Sequence, residues 1–408
     1  MARILWVDDQ QNAASTFSSV LSPLNARVTW ASDGTEALVL LQRQFFDLVI
    51  SDLRMPPGEW GGLWLLERMR NARIHVPVVI LSGEGTQTET IKALRLGAED
   101  YVMKENVKEE LLPTVNRLLE RRTVEVETRV ATTFPTPIAL PFRRYLNATT
   151  SVSQLRRLVE FWESVLRFSC IIGISELERG TSPVKLPATL LQNPSMGTWN
   201  QARGVLARTL PQDSAFSQVN CAMVDKDVSA IIQLRNDIYH GVEPSDLAAA
   251  EILDKSGFRA QLVSFVGRLW QRWSASIVLP LNHSYDGQMF HIEACGVTGD
   301  NVVLPSLQLV LRQPMVTRHP YLVSGCNEEP IITDLFPLIC LEPGQEPNAW
   351  HTLVYDGAKI DLQRVRGDEP IRYIDIWSGQ RNIAPAEAIC LSDLPAAITS
   401  LLEGTDNR

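Results

Sequence analysis

Cysteine is scarce in this sequence, and no two cysteines are spaced for metal binding. Six occur among 408 residues, at positions 170, 221, 295, 326, 340 and 390, without a CxxC pair. Structural zinc sites and disulfide-rich scaffolds both depend on closely spaced or densely packed cysteines. We therefore expect neither kind of site, and the reducing cytoplasm suits this cysteine usage.

Long apolar runs are also lacking. No stretch approaches the roughly 18 apolar residues that would span a bilayer. Near the N-terminus, Asp8 and Asp9 stand where a signal peptide would keep its apolar core. The sequence therefore predicts a cytoplasmic protein without membrane partners.

A block of excess basic charge is missing as well. The net charge is −9, with −2 in residues 1–122, +1 in 123–144, +1 in 145–275 and −9 in 276–408. DNA-binding domains usually carry a basic face that neutralises phosphates. The charge distribution therefore argues against a DNA-binding output.

What is present is ordinary globular composition, with 45% hydrophobic and 21% charged residues. A length of 408 residues suggests two or three domains. Changes in pattern along the chain predict these boundaries: a first domain over 1–122, a linker over 123–144, a helical domain over 145–275 and a β-rich domain over 276–408.

The first block alternates short apolar runs with amphipathic stretches. The predicted strands are centred on residues 4–7, 28–30, 48–50, 76–81 and 101–103. The predicted helices lie near 10–21, 34–44, 62–72, 86–96 and 107–121. Five strand–helix repeats of this kind predict an α/β domain with a flavodoxin-like, doubly wound, five-stranded parallel sheet.

The later blocks have other patterns. Pro135, Pro137 and Pro141 predict an extended linker. The apolar periodicity then predicts an all-α bundle with helices near 154–178, 198–210, 225–240 and 246–273. Apolar runs between turn signals predict a small β-rich domain with strands near 302–304, 307–311, 353–355 and 373–377. A last helix is predicted near 393–403.

Polar side chains follow four of the five predicted strands in the first block. Asp8 and Asp9 follow the first strand, Asp52 the third, Ser82 the fourth and Lys104 the fifth. Parallel strands bring their carboxyl ends to one edge, so these groups should converge. Clustered carboxylates favour Mg²⁺, while lysine and serine can hold a phosphoryl group.

This constellation resembles the receiver domain of two-component response regulators, over about residues 1–122. The matching motifs are Val7-Asp8-Asp9, the segment from Asp47 to Pro56, Ile80-Leu81-Ser82-Gly83 and the segment from Gly97 to Lys104.

The resemblance implies a phosphorelay function. Asp52 would take phosphate from a histidine kinase or phosphotransfer protein. Mg²⁺ would be held by four groups, which are Asp8, Asp9, Asp52 and the backbone carbonyl of Arg54. Ser82 and Lys104 would contact the phosphoryl group, and Tyr101 would be the aromatic switch.

Two features depart from the family pattern. Glu105 follows the lysine where the family usually has proline. The segment from Pro56 to Gly62 is longer than the usual turn, which predicts a remodelled loop beside Asp52. Trp60 in that loop could shield the site or receive a partner.

The helical block contains a second motif, from Leu234 to Gly241. Arg235 falls on the apolar stripe of its predicted helix, and a buried arginine needs a partner. His240 falls at the helix end, where a cation or donor meets the last carbonyls.

This motif is similar to the R-x4-H signature of the HEPN superfamily of helical domains. The resemblance implies a helical domain that, in active members, cleaves RNA as a dimer. Arg235, Asn236 and His240 would then carry the ribonuclease chemistry. A helical domain that only buries the arginine and ends the helix with His-Gly remains the alternative.

Three functions follow from these observations. The first is a response regulator, expected as a homodimer, in which phosphorylation of Asp52 switches a non-DNA-binding output through protein contacts. The first alternative is a phosphorylation-gated ribonuclease, and only this one requires RNA as a partner. The second alternative is a transcriptional regulator.

Overall fold

The structure is a computed structural model of the chain. It describes residues 2–24, 26–44, 46–72, 74, 76–83, 87–177, 184–241, 244–255, 257–325, 330–346, 349–360 and 367–403.

The chain forms two compact units, each built from two segments. The first unit comprises Met1–Thr128 and Asp254–Gln271, and the second comprises Arg129–Leu253 and Arg272–Arg408. The boundaries expected at 122, 144 and 275 remain predictions.

The first unit contains a five-stranded sheet that is parallel throughout. Its strands are β1 Arg3–Val7, β2 Arg27–Ala31, β3 Leu48–Asp52, β4 Val78–Ser82 and β5 Asp100–Met103, in the spatial order β2-β1-β3-β4-β5. Its helices are α1 Gln11–Ser18, α2 Gly34–Arg43, α3 Gly61–Asn71, α4 Gln87–Leu96 and the start of α5 Val107–Thr133. The predicted flavodoxin-like sheet is confirmed.

Both faces of this sheet are covered, which explains the continuous apolar strands. Leu5 and Val49 pack into one buried layer, whereas Ile4 and Ile50 pack into the other. Neighbouring residues of a strand point to opposite faces, so one short strand serves both layers. The central strands β3 and β4 are buried along their whole length.

The prediction of an extended linker over 123–144 is wrong. Helix α5 continues to Thr133, and α6 follows at Thr136–Leu146. Val126 and Val130 are buried four residues apart, which keeps one face of α5 apolar. Pro137 stands in the first turn of α6, where its missing N–H breaks no helical hydrogen bond.

The helical region is confirmed. Its helices are α7 Ser151–Leu177, α8 Thr189–Gln192, α9 Met196–Thr209, α10 Ala215–Asn220, α11 Asp225–His240, α12 Asp246–Lys255 and α13 Phe258–Arg272. The single helix expected over 246–273 is two helices. Gly257, between them, has φ +67°, which a right-handed helix does not allow.

Helix α7 forms much of the second unit's core. From Phe161 to Ile174 it is buried on all sides, including the charged residues Glu163 and Arg167. In the described part of the chain, every helix is too short or too polar to cross a membrane.

Most of α13 belongs to the first unit. The guanidinium of Arg122 on α5 lies over the ring of Trp270 on α13, 5.2 Å from the ring centre. This cation–π contact links α5 to a segment more than a hundred residues later in the chain.

The C-terminal region is β-rich, as predicted, and its paired strands are antiparallel. They are β6 Ser276–Tyr285, β7 Phe290–Gly296, β8 Ser306–Leu311, β9 Tyr321–Ser324, β10 Ile331–Asp334, β11 Ile339–Pro343, β12 Trp350–Ala358 and β13 Ile371–Asp375. One sheet has the order β10-β9-β6-β7-β8 and the other β11-β12-β13. The strand predicted at 302–304 is only an isolated bridge between Val303 and Ala349. Helix α14 follows at Ala396–Glu403.

Candidate phosphoacceptor site

Three aspartates meet at the carboxyl edge of the parallel sheet. Asp8 and Asp9 follow β1, and Asp52 ends the neighbouring strand β3. One carboxylate oxygen from each lies within 4.8 Å of those from the other two. Asp8 and Asp52 are buried, whereas Asp9 is exposed. The structure therefore brings together the acids that the sequence predicted would converge.

Asp8 is held in place by its surroundings. Its Oδ1 accepts a hydrogen bond from the backbone N–H of Gln10 at 2.9 Å. Its backbone carbonyl accepts a hydrogen bond from the indole Nε1 of Trp30, also at 2.9 Å. Sequence reasoning missed Trp30, because only the pairing of β1 with β2 brings it beside Asp8.

Asp52 presents one carboxylate oxygen to the backbone and the other to a lysine. Its Oδ1 accepts from the N–H of Leu53 at 2.8 Å, and its Oδ2 lies 3.0 Å from Nζ of Lys104. The same Nζ lies 3.3 Å from Oδ2 of Asp8. Lys104 therefore bridges the two buried carboxylates from the end of β5.

Partial burial and mutual attraction shift the pKa values of Asp52 and Lys104. Burial raises the pKa of Asp52, and the charge of Asp8 raises it further, although Lys104 opposes both effects. Burial works to lower the pKa of Lys104, but Asp52 and Asp8 outweigh burial and raise it. Lys104 is thus held firmly in its charged form, ready to pair with an added anion.

The donor set suits a hard divalent cation. Three carboxylates within reach of one ion supply the oxygen ligands that Mg²⁺ prefers, and exposed Asp9 leaves a side open to water. The residues therefore fit the expected metal, and the carbonyl of Arg54 remains a predicted fourth ligand.

Glycine at position 62 supports the strand end that carries Asp52. A Cβ at Gly62 would lie 2.4 Å from the backbone oxygen of Asp52, closer than real Cβ contacts allow. Helix α3 can therefore approach the end of β3 only where its first turn lacks a side chain. This role was not recognised from the sequence, where Gly62 only closed the long segment after Asp52 and began the helix predicted near 62–72.

Ser82 and Tyr101 lie on the neighbouring strands β4 and β5. Ser82 is buried at the end of β4. Tyr101 is half-buried and packs against the apolar layer that includes Ile80. Its hydroxyl is buried without a hydrogen-bond partner among the described residues. The phosphoryl contact of Ser82 and the switch role of Tyr101 remain predictions.

In the long loop after β3, the side chains of Arg54 and Trp60 pack against each other. The guanidinium of Arg54 lies 4.8 Å from the ring centre of Trp60, and Trp60 packs partly into the core. Shielding of the site or partner binding by Trp60 stays a prediction. Glu105, in place of the family's proline, lies in a short 3₁₀ helix over Lys104–Asn106.

The R-x4-H motif lies on α11, in the second unit. The half-buried Arg235 donates from Nη1 to Oδ1 of Asn236 at 3.3 Å. The charge of Arg235 also helps to lower the pKa of the buried Glu163 carboxyl, after the larger effects of Arg167 and Arg381. The backbone of His240 ends the helix, but its side chain lies outside the described residues. The ribonuclease roles of Arg235, Asn236 and His240 remain predictions.

Solved receiver domains are similar to the N-terminal part of the chain. A receiver domain of a Francisella response regulator shares 31% identity, covers 30% of this chain and 98% of its own, and has a TM-score of 0.28. A CheY-like receiver domain protein from Methanospirillum hungatei shares 26% identity, covers 31% and 98%, and has a TM-score of 0.29.

Curated response regulators also match part of the chain. The Regulator of RpoS of Escherichia coli K12 is 41% identical over 102 residues, which are 25% of this chain and 30% of that protein. The response regulator SaeR of Staphylococcus aureus is 32% identical over 121 residues, which are 30% of this chain and 52% of that protein. The matches thus span about a third to half of these relatives' lengths.

The family model described as the response regulator receiver domain matches residues 4–116. That range contains the three clustered aspartates, Lys104 and all of the five-stranded parallel sheet except Arg3. Residues 4–116 of this chain are therefore a response regulator receiver domain.

Proposed function

We propose that the protein is a phosphorelay response regulator whose receiver takes phosphate on Asp52 and controls a non-DNA-binding output through protein contacts. One observation carries the proposal. The Asp52 carboxylate lies 3.0 Å from the Lys104 ammonium, beside Asp8 and Asp9, at the carboxyl edge of the sheet.

The chemistry uses the unshared carboxylate electrons of Asp52. One Asp52 oxygen attacks the phosphorus of a phosphohistidine, and the P–N bond breaks as the P–O bond forms. The histidine donor leaves with the bond's electron pair and takes up a proton. Mg²⁺ bound by Asp8, Asp9 and Asp52 would offset the negative charge of the carboxylates and of the phosphoryl oxygens.

Lys104 supplies the fixed positive charge of the site. Before phosphorylation it pairs with Asp52 and Asp8. After phosphorylation it can pair with a phosphoryl oxygen, since the added group carries about −1.5 to −2 charges by analogy with hydroxyl phosphates. Ser82, buried on the adjacent strand, can donate its hydroxyl to the same group.

Movement of Ser82 and Lys104 toward the phosphate would repack the face formed by β4, α4 and β5. Tyr101 would fill the space that Ser82 leaves. Reversing a 1:99 equilibrium to 99:1 requires about 5.5 kcal/mol of differential stabilisation. Two or three hydrogen bonds to charged groups, each contributing about 1.5–3 kcal/mol, supply that order of energy.

The charge distribution supports an output through protein contacts. The helical segment 145–275 has a net charge of +1 and the C-terminal segment 276–408 a net charge of −9. Neither offers the basic excess that DNA binding requires. The homodimer, the histidine kinase and the phosphotransfer protein expected as partners belong to the same proposal.

Phosphorylation by a small phosphodonor tests this function. Full-length protein incubated with acetyl phosphate and Mg²⁺ should gain the mass of one acid-labile phosphoryl group, and its association state should change. Asp52→Asn should gain none, whereas Asp33→Asn, which changes a half-buried helix-capping acid of the same domain, should behave as wild type. Equal modification of Asp52→Asn and wild type would refute the phosphoacceptor assignment.

A further inference from the structure

A cavity of about 500 Å³ lies within the second unit. Helices α6, α7 and α11 form one side, and β13 with the turn after it forms the other. Cavities of about 300–1,000 Å³ accommodate small molecules. This cavity contains none of the receiver's aspartates.

Arginine dominates the charged lining of the cavity. Five guanidinium groups face three carboxylates, so the wall carries a formal excess of positive charge. The arginines are Arg144, Arg156, Arg157, Arg167 and Arg381. The carboxylates are Glu160, Glu163 and Asp375.

The deepest arginine is compensated by the protein itself. Arg167 donates from Nη2 to Glu163 and to Asp356, each at 2.9 Å. Arg381 also pairs with Glu163, at 2.6 Å. These carboxylates therefore compensate the positive charges of Arg167 and Arg381, so a ligand would not need to neutralise those two arginines.

Arg144 differs from these two arginines. It is half-buried on α6, and its side chain makes no hydrogen bond or ion pair within the described part of the chain. Burial and the nearby charge of Arg157 lower the pKa of Arg144, although the carboxylates of Glu160 and Asp375 oppose both effects in part. A guanidinium that is partly desolvated beside another cation is stabilised by an incoming anion.

Glycine at position 379 leaves room for this arginine. A Cβ at Gly379 would lie 3.3 Å from Nη1 of Arg144, and the residue has φ +73°. The turn after β13 thus approaches the guanidinium closely with backbone alone. Its conformation also favours glycine over residues with a side chain.

Most of the uncharged lining is apolar, and two serines and a glycine complete it. The apolar residues are Pro141, Val159, Ile238, Ile374 and Ile376, and the others are Ser164, Ser378 and Gly379. A ligand that suits the cavity therefore combines an anionic group with a flat or apolar body. Arginine pairs with phosphate in a fork geometry that carboxylates and phosphates share, but a doubly charged phosphate monoester gains more from adjacent guanidinium groups.

We propose that this cavity binds a phosphate monoester of nucleotide size, with the phosphate on Arg144 and Arg156 and the apolar body against Ile238 and Ile376. The site is independent of Asp52 and goes beyond the proposed receiver function. The same chemistry occurs in a free nucleotide and at the 5′ end of an RNA strand, and the two sources can be separated by experiment.

Calorimetric titration of the full-length protein tests the proposal. EDTA keeps the receiver free of divalent cations, and the probes are AMP, adenosine, inorganic pyrophosphate and a 5′-phosphorylated hexaribonucleotide. AMP should bind, and adenosine should bind about tenfold or more weakly because it lacks the phosphate. Binding of the hexaribonucleotide more tightly than AMP would identify an RNA end as the source, and the reverse would identify a free nucleotide.

Variants separate this cavity from other sites. Arg144→Ala should weaken AMP binding about tenfold or more, since one charge-assisted pair is lost. Arg156→Glu, at an exposed position on the rim, should weaken it further without a packing defect. Arg143→Ala is the matched control, because this exposed neighbour pairs with Asp300 and does not line the cavity.

Several results would overturn the proposal. These are the absence of binding by AMP and the hexaribonucleotide at millimolar concentration, or binding that both Arg144→Ala and Arg156→Glu leave unchanged. Pyrophosphate that binds more tightly than AMP would reject the role of the apolar wall. Thermal unfolding of each variant shows whether a loss of binding reflects a loss of fold.

Discussion

Arg167 on α7 and Asp356 on β12 form a buried ion pair at 2.9 Å, although 189 residues separate them in the chain. Glu163, one turn earlier on α7, accepts from the same Nη2 at 2.9 Å. Within the second unit, a helix and a strand from the two regions that the sequence distinguished thus share one buried charge cluster.

The charge cluster predicts a stability difference between two glutamates on α7. Glu163→Gln removes a buried negative charge that Arg167 and Arg381 share, and it should lower the free energy of unfolding by about 3–5 kcal/mol. Glu160→Gln is the control, because its ion pair with Arg157 is exposed and such pairs contribute about 0–1 kcal/mol. Urea denaturation followed by circular dichroism measures both. Equal losses in the two variants would contradict the importance of the buried cluster.

The stability difference between Glu163→Gln and wild type should depend on pH. Burial works to raise the pKa of Glu163, but Arg167, Arg381 and Arg235 outweigh burial and lower it below the ordinary value of 4.5. A carboxyl with a lowered pKa stabilises the fold above its unfolded pKa, and this contribution is lost as the pH falls through the folded pKa. The difference should be full at pH 7 and shrink below about pH 4.5. Denaturation curves at a series of pH values would reveal a constant difference if this linkage were absent.

Gly62→Ala should damage the receiver without changing any polar side chain of the site. The new Cβ would meet the backbone oxygen of Asp52, so α3 or the end of β3 must move. Overpacking of this kind costs about 1–3 kcal/mol, and the displaced Asp52 should react about tenfold or more slowly with acetyl phosphate. Gly204→Ala on α9 is the control, since its Cβ would find ample space. Wild-type phosphorylation kinetics in Gly62→Ala would show that this close approach does not position Asp52.

Mg²⁺ should stabilise the receiver through Asp9. At ten times its dissociation constant, a ligand that binds only the folded state adds about 1.4 kcal/mol. Asp9→Asn should abolish most of this gain, because an exposed ligand is lost without a packing defect. The measurement is thermal unfolding with and without millimolar MgCl₂, and Asp213→Asn in the second unit is the control. A wild-type protein that MgCl₂ leaves unchanged would contradict a metal site at the three aspartates.

A structural role and a ribonuclease role of the R-x4-H motif can be distinguished by measuring the stability and the RNA cleavage of two variants. Arg235 is half-buried, donates a hydrogen bond to Asn236 and attracts the negative charge of Glu163. Arg235→Ala should therefore lower the free energy of unfolding by about 1–3 kcal/mol. His240→Ala should cost little, and the wild type should leave a fluorescent RNA substrate intact. RNA cleavage by phosphorylated wild type that both variants lose would instead establish the ribonuclease alternative.

The receiver could be predicted closely from the sequence. Its strands are short apolar runs and its helices have clear amphipathic periods, so local pattern and tertiary structure agree. Asp8, Asp9, Asp52 and Lys104 stand at strand ends, and the parallel arrangement alone brings such ends to one edge. The prediction succeeded there because each of these site residues lies at or directly after the end of a strand, and strand ends can be located from the sequence.

The remaining features depended on contacts between distant parts of the chain. The helices over 123–144 form because Val126 and Val130 find a buried face, which outweighs the proline signals nearby. Trp30 and Gly62 acquire their roles from a neighbouring strand and from a close helix approach.

The arginine-lined cavity is the clearest case in which tertiary structure alone decided. Arg144, Arg156 and Arg381 come from separate elements, and none belongs to a motif that the sequence displays. The sequence determined which residues carry charge and where the receiver's chemistry lies. Only the packing of α6, α7 and β13 decided which arginines pair with acids and which arginines line one cavity, because pairing depends on distances that no local pattern encodes.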